Sequence, residues 1–468
     1  MANEQVEKYV QSLVYDVAGL LGNQQDSQES LSPTVHRKVI NGGISVTVMT
    51  PHKVNKLIEE ISLDNPSDGV MYPGALVKVD SNLKKGSPTP IGLPRAPVTI
   101  SVDLPGLKKC QATVADPTAS NIRQATTGLI NDWFTQNVPA GYSGVMKFTS
   151  AALEVYSAEQ AAVELGLSLD WLSLKAKAMA NVSSESDERV FLGVVKHIYY
   201  TVSMNTPGVP CRVFAPSVKM SDAKATFGPK DPPGYVSSVS YGRLLLVSLR
   251  TRSAKSSSEV QAALNASIGN VKLDANTSAN VSSTLQNSSI QILVLGGGTS
   301  SYAPSGPFNL DAVNGYIKDG MSFGKGNPGA PISYKVSFLK DNSQATMGFN
   351  VPYTEVDVQE YKDGTFTLRN SAGFNARFDL TWFELDGNGN HTVKRNWPSG
   401  TLLLGQWATC IVPGDATGIK VTVELDQGAG HWKVIKALSI ARPGGDYEIK
   451  VSNTIQDPHI DTNPKIPD

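Results

Sequence analysis

The sequence predicts an α+β protein of several domains that ends in a separate all-β sandwich. Three observations support this prediction. The chain has 468 residues, which is enough for roughly two to four domains. Before residue 366, helical patterns alternate with long runs of β-branched residues. After residue 366, short β-strand patterns are separated by Gly-, Pro- and Asn-rich turn sequences, which is typical of a β-sandwich.

The first 50 residues predict one helix and one long strand. The helix is indicated by apolar residues that recur at helical spacing: Val6, Val10, Leu13 and Val14. It covers residues 4–22, and Gly22 can close its C-terminal end. Residues 34–50 are rich in β-branched side chains and predict a single strand, bent at Gly42 and Gly43.

The middle of the chain predicts a sheet with a helix on it. Residues 120–137 carry apolar side chains at helical spacing, which predicts the helix. Four apolar, β-branched stretches predict strands: residues 97–104, 190–203, 236–249 and 290–295. The last three are apolar enough to be core strands.

The composition is typical of a β-rich extracellular protein. Charged residues make up 18% of the chain, glycine (41) and proline (28) are abundant, and the net charge is −1. No block of lysine and arginine is long enough to form a nucleic-acid footprint, so we exclude nucleic acid as a partner. A nearly neutral chain also argues against purely electrostatic attachment to a membrane.

No apolar run reaches 18 residues, which argues against a transmembrane helix. The N-terminal residues 1–4 are not a basic region followed by an apolar stretch. If the protein is secreted, either a signal peptide has been replaced by the starting methionine or export follows another route.

The sequence predicts neither a metal nor a cofactor. Cys110, Cys211 and Cys410 lie far apart and form no cluster with histidine, so we expect three reduced, buried thiols. Residues 386–390 resemble half of a calcium loop, but His391 and later residues lack the required Gly and Glu, so a hairpin turn is favoured.

Enzyme motifs are also lacking in the sequence. The glycines at 296–298 lack the spacing of a phosphate-binding loop, and there is no HExxH or GxSxG. We therefore do not expect an enzyme.

Two segments, residues 158–186 and 258–286, have a period-2 pattern that suits a membrane β-hairpin. A membrane strand needs about 9–11 residues with one lipid-facing and one wet side. In the first segment the alternating apolar positions are Val163, Leu165, Leu167, Leu169 and Trp171. In the second segment the alternating apolar or small positions are Val271, Leu273, Ala275, Thr277, Ala279 and Val281.

The same two segments can also be interpreted as helices. Ala, Ser, Asn and Lys are frequent in both, and these residues are poor β-formers. In the first segment, one helix face would carry Ala161, Leu165, Leu169 and Leu172. Periodicity alone leaves two alternatives: amphipathic helices packed on a sheet, or segments that convert from helix to strand.

Several motifs resemble those of the cholesterol-dependent cytolysins, also called thiol-activated cytolysins. They occur in the order of that family and cover most of the chain. They are the sequences at residues 72–76, 95–107, 198–203, 241–243, 260–263, 287–289, 294–297, 331–334 and 338–342.

This resemblance implies a discontinuous, elongated four-domain fold with a central sheet, two helical clusters and a C-terminal β-sandwich. Domain 1 would comprise residues 1–33, 59–147, 198–242 and 322–344. Domain 2 would comprise 34–58 and 345–361, domain 3 would comprise 148–197 and 243–321, and domain 4 would comprise 362–468.

The resemblance also implies a function. Monomers of the family assemble into rings on a membrane, and each converts two helical clusters into transmembrane hairpins. The implied clusters are residues 158–186 and 258–286, the two segments with period-2 patterns. Gly296 and Gly297 would act as a hinge where a sheet edge is uncovered, because glycine permits a bend and close backbone approach.

The sandwich tip departs from the family pattern. The stretch equivalent to the tryptophan-rich motif is residues 425–435, where Trp432 alone stands for three tryptophans. Gly428 and Gly430 predict a flexible loop. His431, beside them, either has no role in function or acts as a pH sensor. The family's sterol-reading Thr-Leu pair resembles Thr454-Ile455. A further departure is Ile290, where the family tends to place an aromatic residue.

These departures lead to the functional expectation. The resemblance implies a secreted, haemolytic pore-forming toxin whose membrane recognition is not strictly cholesterol-dependent. Its partners would be a target-cell membrane, further copies of the chain or a related long subunit of a two-component system, and a sterol, protein or glycan receptor. The alternative is a soluble receptor- or glycan-binding protein that kept the fold without forming pores.

Overall fold

The structure is a computed structural model that forms two compact units. It describes residues 2–22, 32–62, 70–136, 146–167, 188–206, 208–252, 257–269, 275–285, 288–296, 310–387 and 389–466. The first unit comprises Met1–Gln28 and Lys53–Tyr353, and the second comprises Glu29–His52 and Thr354–Asp468. The four-domain boundaries implied by the sequence stay a prediction.

The described helices all belong to the first unit. They are α1 (Ala2–Ser12), α2 (Val17–Leu21), α3 (Ser81–Lys85), α4 (Ala119–Thr135), α5 (Ala158–Leu165), α6 (Met220–Thr226), α7 (Ser257–Ile268), α8 (Ala275–Thr284) and α9 (Leu310–Gly320), with a short 3₁₀ turn at Pro210–Val213. Hydroxyl side chains cap two of them. Thr118 Oγ1 accepts a hydrogen bond from the Asn121 amide, and Ser157 Oγ accepts one from the Gln160 amide.

Most strands before residue 366 form one large sheet. The strands of this part of the chain are β1 (Thr34–Ile40), β2 (Gly43–Ile58), β3 (Glu60–Ser62), β4 (Leu76–Lys78), β5 (Val98–Val102), β6 (Gln111–Val114), β7 (Lys147–Glu154), β8 (Arg189–Met204), β9 (Pro233–Thr251), β10 (Ser289–Leu295), β11 (Ala330–Phe338) and β12 (Met347–Lys362). The large sheet has the order β3-β11-β9-β8-β5-β6, with β7 also paired to β8 and both β10 and β4 paired to β9. The strands β1, β2 and β12 form a separate three-stranded sheet.

The two faces of the large sheet carry different apolar clusters, because successive side chains on a strand point to opposite faces. Odd-numbered residues of β8 and β9, such as Phe191 and Val247, pack with α7, α8 and α9. Even-numbered residues, such as Leu192 and Leu246, pack with α5. The helices of the two candidate segments therefore lie on opposite faces of one sheet.

The predicted helix over residues 4–22 is wrong as a single element. It consists of α1 and α2, because the Asp16 carboxylate accepts a hydrogen bond from the Ala18 amide and starts a new helix. Val14 lies in the break and is 82% exposed, whereas the other three predicted apolar positions are buried. Gly22 ends α2 with a φ of 67°, as expected.

The predicted bent strand over residues 34–50 is also wrong. It is a hairpin in which β1 and β2 pair antiparallel, with Ile40 opposite Gly43. The two-residue Asn41-Gly42 connection explains the reversal, because Gly42 has a φ of 74° and Asn-Gly is favoured in tight hairpin turns. The other predicted elements are confirmed to within a few residues of their ends.

The second unit contains the β-sandwich expected after residue 366. Its strands are β13 (Gly364–Asn370), β14 (Ala376–Leu385), β15 (His391–Pro398), β16 (Trp407–Val412), β17 (Thr417–Asp426), β18 (Trp432–Ile440), β19 (Asp446–Asn453) and β20 (Pro458–Asn463). One sheet has the order β16-β13-β19-β20 and the other β15-β14-β17-β18. Buried aromatic and aliphatic side chains, among them Phe366 and Phe378, fill the space between them.

Cysteine burial differs from the expectation. Cys110 is exposed and Cys410 is buried, and neither forms a disulfide. Burial raises the pKa of the Cys410 thiol to about 11, so this thiol is neutral and unreactive near neutral pH. The structure does not describe the side chain of Cys211.

Candidate functional site

Four consecutive strands of the large sheet, in the order β7-β8-β9-β10, have their connections at one end. Glu154 at the end of β7 pairs with Phe191 near the start of β8. Arg189 at the start of β8 pairs with Thr251 at the end of β9. Ser289 at the start of β10 pairs with Arg250. The two candidate segments leave the sheet and return to it at this shared end, and each joins two neighbouring antiparallel strands.

The first segment begins as the helix α5, which packs on the even-numbered face of β8 and β9. The predicted site residues Leu165 and Leu167 are buried there, and Val163 is buried in another apolar cluster, which includes Val236. Leu169 and Trp171 lie outside the described residues. The described part is therefore helical and docked, whereas its proposed strand form stays a prediction.

Polar side chains of the sheet hold the end of α5. Lys196 Nζ on β8 donates to Ser62 Oγ at 2.8 Å and approaches the Gly166 carbonyl oxygen at 3.5 Å. Ser62 Oγ in turn donates to the Gly166 carbonyl at 3.0 Å, and Lys56 Nζ donates to the Glu164 carbonyl at 2.5 Å. Burial has the largest effect on the pKa of the Lys196 ammonium, and it lowers that pKa. Sequence analysis missed this network, because its members lie on four separate elements: β2, β3, β8 and α5 with its C-cap.

The second segment contains α7 and α8 on the opposite face. Val281 is buried and Ala279 is exposed, while Ala275 is the first residue of α8. Val271 and Leu273 lie outside the described residues. Ile268 at the end of α7 reaches the sheet at Gly193, where a Cβ atom would lie only 2.8 Å from its Cδ1 atom. The Ile268 side chain occupies the space left by the missing side chain of Gly193, and this contact holds α7 on the sheet.

Gly296, one of the two predicted hinge residues, packs against the backbone of β9. It has a φ of 75°, and a Cβ atom there would lie 2.6 Å from the Gly242 carbonyl oxygen. Glycine is required both by the conformation and by the close approach. Gly297 lies outside the described residues, and Ile290 is buried in β10. The hinge role of the pair stays a prediction.

Next in the chain after Gly242, Arg243 forms a buried basic pair with His197, which the sequence analysis did not identify. His197 on β8 is fully buried, and neither ring nitrogen has a hydrogen-bond partner among the described residues. Burial, followed by the nearby Arg243 guanidinium, lowers the pKa of His197 to about 4. The ring lies next to α9, where a Cβ atom on Gly320 would come within 2.6 Å of Nδ1.

The candidate tip in the sandwich is a hairpin turn between β17 and β18 that hydrogen bonds close, and its expected flexibility stays a prediction. Asp426 Oδ1 accepts hydrogen bonds from the amides of Gly428 and Gly430, at 2.9 and 3.2 Å. Both glycines have positive φ, as turns of this kind require. His431 is exposed at the turn, and Trp432 starts β18 with the Arg377 guanidinium 4.5 Å from its ring centroid.

Three other connections lie at the same end of the sandwich as this turn. Ala376 at the start of β14 pairs with Leu425 and bridges to Leu402. Asn370 at the end of β13 pairs with Val451, close to the end of β19. The connections are residues 371–375, 399–406 and 454–457.

Two of these connections expose apolar side chains. Thr454 is exposed and Ile455 is 37% exposed in the last of them, and Thr454 Oγ1 accepts a hydrogen bond from the Asp457 amide at 3.3 Å. Leu403 and Leu404 are 52% and 65% exposed. The sequence analysis missed these two leucines, although two exposed leucines between turn residues are a detectable signal.

In sequence, the chain is similar to known cytolysins. The family model of the thiol-activated cytolysins matches residues 5–361. Ivanolysin of Listeria ivanovii is 30% identical over 442 residues, which cover 92% of this chain and 82% of that protein. Listeriolysin O of Listeria monocytogenes is 28% identical over 476 residues, which cover 97% of this chain and 89% of that protein.

Solved structures are similar over the whole chain. Listeriolysin O superposes with a TM-score of 0.80 at 26% identity, covering 100% of this chain and 96% of that one. A non-hemolytic pneumolysin from Streptococcus pneumoniae has a TM-score of 0.78 at 26% identity, covering 100% of both chains. A disulfide-locked intermedilysin with human CD59 has a TM-score of 0.72 at 28% identity, covering 100% of this chain and 99% of that one.

The fold and the two docked helical segments define the class: a cytolysin with a C-terminal β-sandwich. The chain belongs to the thiol-activated cytolysin family, because the family model covers residues 5–361 and a 30% identical relative covers most of the chain. The resemblance inferred from the sequence motifs is thus confirmed. Among the described residues, no helix is both long and apolar enough to span a membrane.

Proposed function

We propose that this chain is a secreted pore-forming toxin that assembles into a ring on a target membrane and inserts two β-hairpins per monomer. The observation that carries the proposal is the shared end of β7, β8, β9 and β10, where both candidate segments connect neighbouring antiparallel strands. If each segment becomes extended, it continues two existing strands without any change in their pairing.

The length and pattern of the segments support this conversion. Residues 155–188 connect β7 to β8, and residues 252–288 connect β9 to β10. Each connection can supply two strands of about 9–11 residues and a turn, which is the span of a membrane hairpin. Their alternating apolar positions would face lipid, and the polar positions between them would face water.

Assembly into a ring needs free strand edges, and the sheet supports this step. Among the described residues, β7 pairs only with β8 and β10 pairs only with β9. Pairing of β7 of one monomer with β10 of the next would join their sheets edge to edge. Gly296 directly follows β10, so a bend there would control access to that edge.

Membrane recognition in this proposal is not strictly cholesterol-dependent. The tip turn offers a single tryptophan, which already packs against Arg377, so little aromatic surface is left to enter a membrane. Leu403 and Leu404, at the same end of the sandwich, supply exposed apolar area instead. Additional affinity would come from a protein or glycan receptor, a partner subunit, or avidity within the ring. A related structure holds intermedilysin with human CD59, which supports a receptor.

The alternative of a binding protein without pore activity remains worth testing, because a non-hemolytic pneumolysin has the same fold. Dye release from liposomes made of target-cell lipids, with and without cholesterol, separates the two functions. Release in both preparations supports the proposal, and binding without release supports the alternative.

The hairpin topology has its own test. With the three native cysteines replaced by serine, single cysteines at positions 163–171 and 271–281 receive a polarity-sensitive dye. On permeabilised liposomes, we expect the emission to alternate between lipid-like and water-like values at successive positions. The soluble monomer is the control, and there the described helical positions should follow a helical period. Uniformly wet probes on leaking membranes would contradict the hairpin model.

A further inference from the structure

An open cavity of about 690 Å³ lies in the first unit, between α4 and the large sheet. Its walls come from α4, from Tyr200 on β8 and Tyr241 on β9, and from residues 325–331 before and at the start of β11. This volume falls in the range of small-molecule sites, roughly 300–1,000 Å³. None of its described lining residues belongs to either candidate segment or to the sandwich.

The inner wall is apolar and aromatic. Ile122 and Ile130 of α4 contribute aliphatic surface, and Phe134 contributes a ring. Tyr200 and Tyr241 stack with their ring centroids 5.0 Å apart and an angle of 11° between their planes. Both residues line the cavity and form its floor. Such a surface accommodates the apolar body of a ligand.

The charges at the cavity have one sign. Arg123 of α4 and Lys325 are its cationic lining residues, and none of the described lining residues is acidic. Arg123 is close enough to Tyr241 to oppose the effect of burial, which raises the pKa of that tyrosine to about 12. A third cation, Arg95, is half-buried beside Tyr72, which lines the cavity. In a chain of net charge −1, this concentration of positive charge favours an anion.

One polar group in the cavity has no partner. Thr126 is 4% exposed, and its hydroxyl oxygen makes no hydrogen bond with any described residue. A buried hydroxyl without a partner is costly, unless a ligand or a water supplies the missing hydrogen bond. Thr126 lies three residues after Arg123 and four after Ile122 on α4, so the three side chains share one side of the helix, although the Thr126 hydroxyl oxygen itself is buried.

We propose that this cavity binds a small amphipathic anion, with its carboxylate between Arg123 and Lys325 and its aliphatic body against the tyrosine floor. The Thr126 hydroxyl, which is buried, would donate a hydrogen bond to the ligand head group after its side chain rotates towards the cavity. A medium-chain fatty acid has this chemistry. Because the site lies outside the segments proposed to insert, its occupancy can be measured without reference to pore formation.

The test is calorimetric titration of the soluble monomer with decanoate and decylammonium, each kept below its micelle concentration, and with decanol, kept below its solubility limit. We expect saturable binding of one decanoate per chain, at least tenfold weaker binding of decanol, and no saturable binding of decylammonium. In Arg123→Gln/Lys325→Gln, decanoate affinity should fall at least tenfold. The matched control, Arg212→Gln/Lys109→Gln, removes two exposed cations from the same unit and should bind like the wild type.

Thr126→Val provides a second measurement. It removes the hydroxyl that has no partner and keeps the side-chain shape, so the ligand-free midpoint of thermal unfolding should stay or rise while decanoate affinity falls severalfold. Equal affinity for decanoate and decanol would overturn the proposal, as would wild-type affinity in the Arg123/Lys325 variant. Lack of saturable decanoate binding would overturn it as well.

Discussion

At the scale of single residues, neighbouring positions of β8 place two basic side chains on opposite faces of the sheet. Lys196 faces α5 and makes hydrogen bonds, whereas His197 faces α9 and makes none with described residues. Burying either side chain in its charged form is unfavourable unless hydrogen bonds compensate. Lys196 has that compensation, so it holds a helix in place, and His197 is buried as the neutral imidazole.

The buried His197 makes the stability of the first unit depend on pH. Its pKa falls from 6.5 to about 4 in the folded chain, so the unfolded chain binds the additional proton between these values. The contribution is fully present above about pH 6.5 and is lost as the pH falls towards 4. The maximum loss is about 3 kcal/mol of unfolding free energy. Protonation of His197 would also place its positive charge next to that of the Arg243 guanidinium, against α9.

We therefore expect His197→Gln to lose less stability on acidification than the wild type does. Thermal unfolding midpoints at pH 7 and pH 4.5 measure this difference. His431→Gln is the matched control, because His431 is exposed and its replacement should leave the wild-type pH dependence unchanged. A wild-type pH dependence in His197→Gln would contradict this assignment.

At the scale of elements, both candidate segments are docked through short helices rather than long ones. The helix α5 has eight residues, too few to be stable alone, so its conformation depends on the surrounding contacts. Apolar contacts hold one side of α5. The Lys196–Ser62–Gly166 hydrogen bonds hold its C-terminal end. An element with this construction can be released by the loss of a few interactions.

Lys196→Met is expected to loosen α5 without unfolding the sheet. Methionine keeps the length and apolar stem of lysine but donates no hydrogen bond to Ser62 or to the Gly166 carbonyl. The 2.8 Å hydrogen bond to Ser62 is the shorter of the two, and one hydrogen bond that involves a charged group contributes about 2 kcal/mol, or roughly a 30-fold change in an opening equilibrium. Amide hydrogen exchange in residues 158–167 should accelerate by about this factor.

The control for this prediction is Lys147→Met, which removes an exposed lysine from β7 of the same sheet. Exchange in α5 should be unchanged in this variant. If Lys196→Met also leaves the exchange of α5 unchanged, the hydrogen bonds of Lys196 do not hold the helix.

At the scale of the whole molecule, the two units carry different parts of the proposed function. The first contains the sheet and both candidate segments, and the second contains the sandwich with its tip connections. The family model ends at residue 361, so the sandwich lies outside its match. This division agrees with the motif analysis, in which the resemblance is extensive up to residue 342 and the tip departs from the family pattern.

Sterol independence is a prediction for the whole molecule. In flotation with liposomes of target-cell lipids containing zero to high cholesterol, we expect the wild type to bind at every composition. Thr454→Gly/Ile455→Gly should reduce binding less than Leu403→Ser/Leu404→Ser, because the two leucines expose more apolar surface. Thr409→Ser, on the outer face of the sandwich, is the conservative control. Wild-type binding restricted to sterol-rich liposomes, together with loss of binding in the Thr454/Ile455 variant, would show that the protein is sterol-dependent.

The sequence was most informative where a segment has only one favourable environment. Residues 190–203 and 236–249 are long, apolar and β-branched, and they form β8 and β9 within a few residues of the predicted ends. It was least informative where two local solutions compete. Val14 continues a helical pattern, yet the Asp16 cap ends that pattern, and Asn41-Gly42 converts a continuous strand pattern into a hairpin.

The sequence by itself determined the family, the central strands, the sandwich and the position of the two ambiguous segments, because these depend on local pattern and ordered motifs. Only the tertiary structure decided that the segments leave the sheet at one end and dock on opposite faces, because strand order and register are non-local. For the same reason it alone revealed the Lys196 contacts with α5, the buried His197 and the cationic cavity. Each of these brings together residues that are far apart in the chain, and their chemistry arises from burial and proximity rather than from any motif.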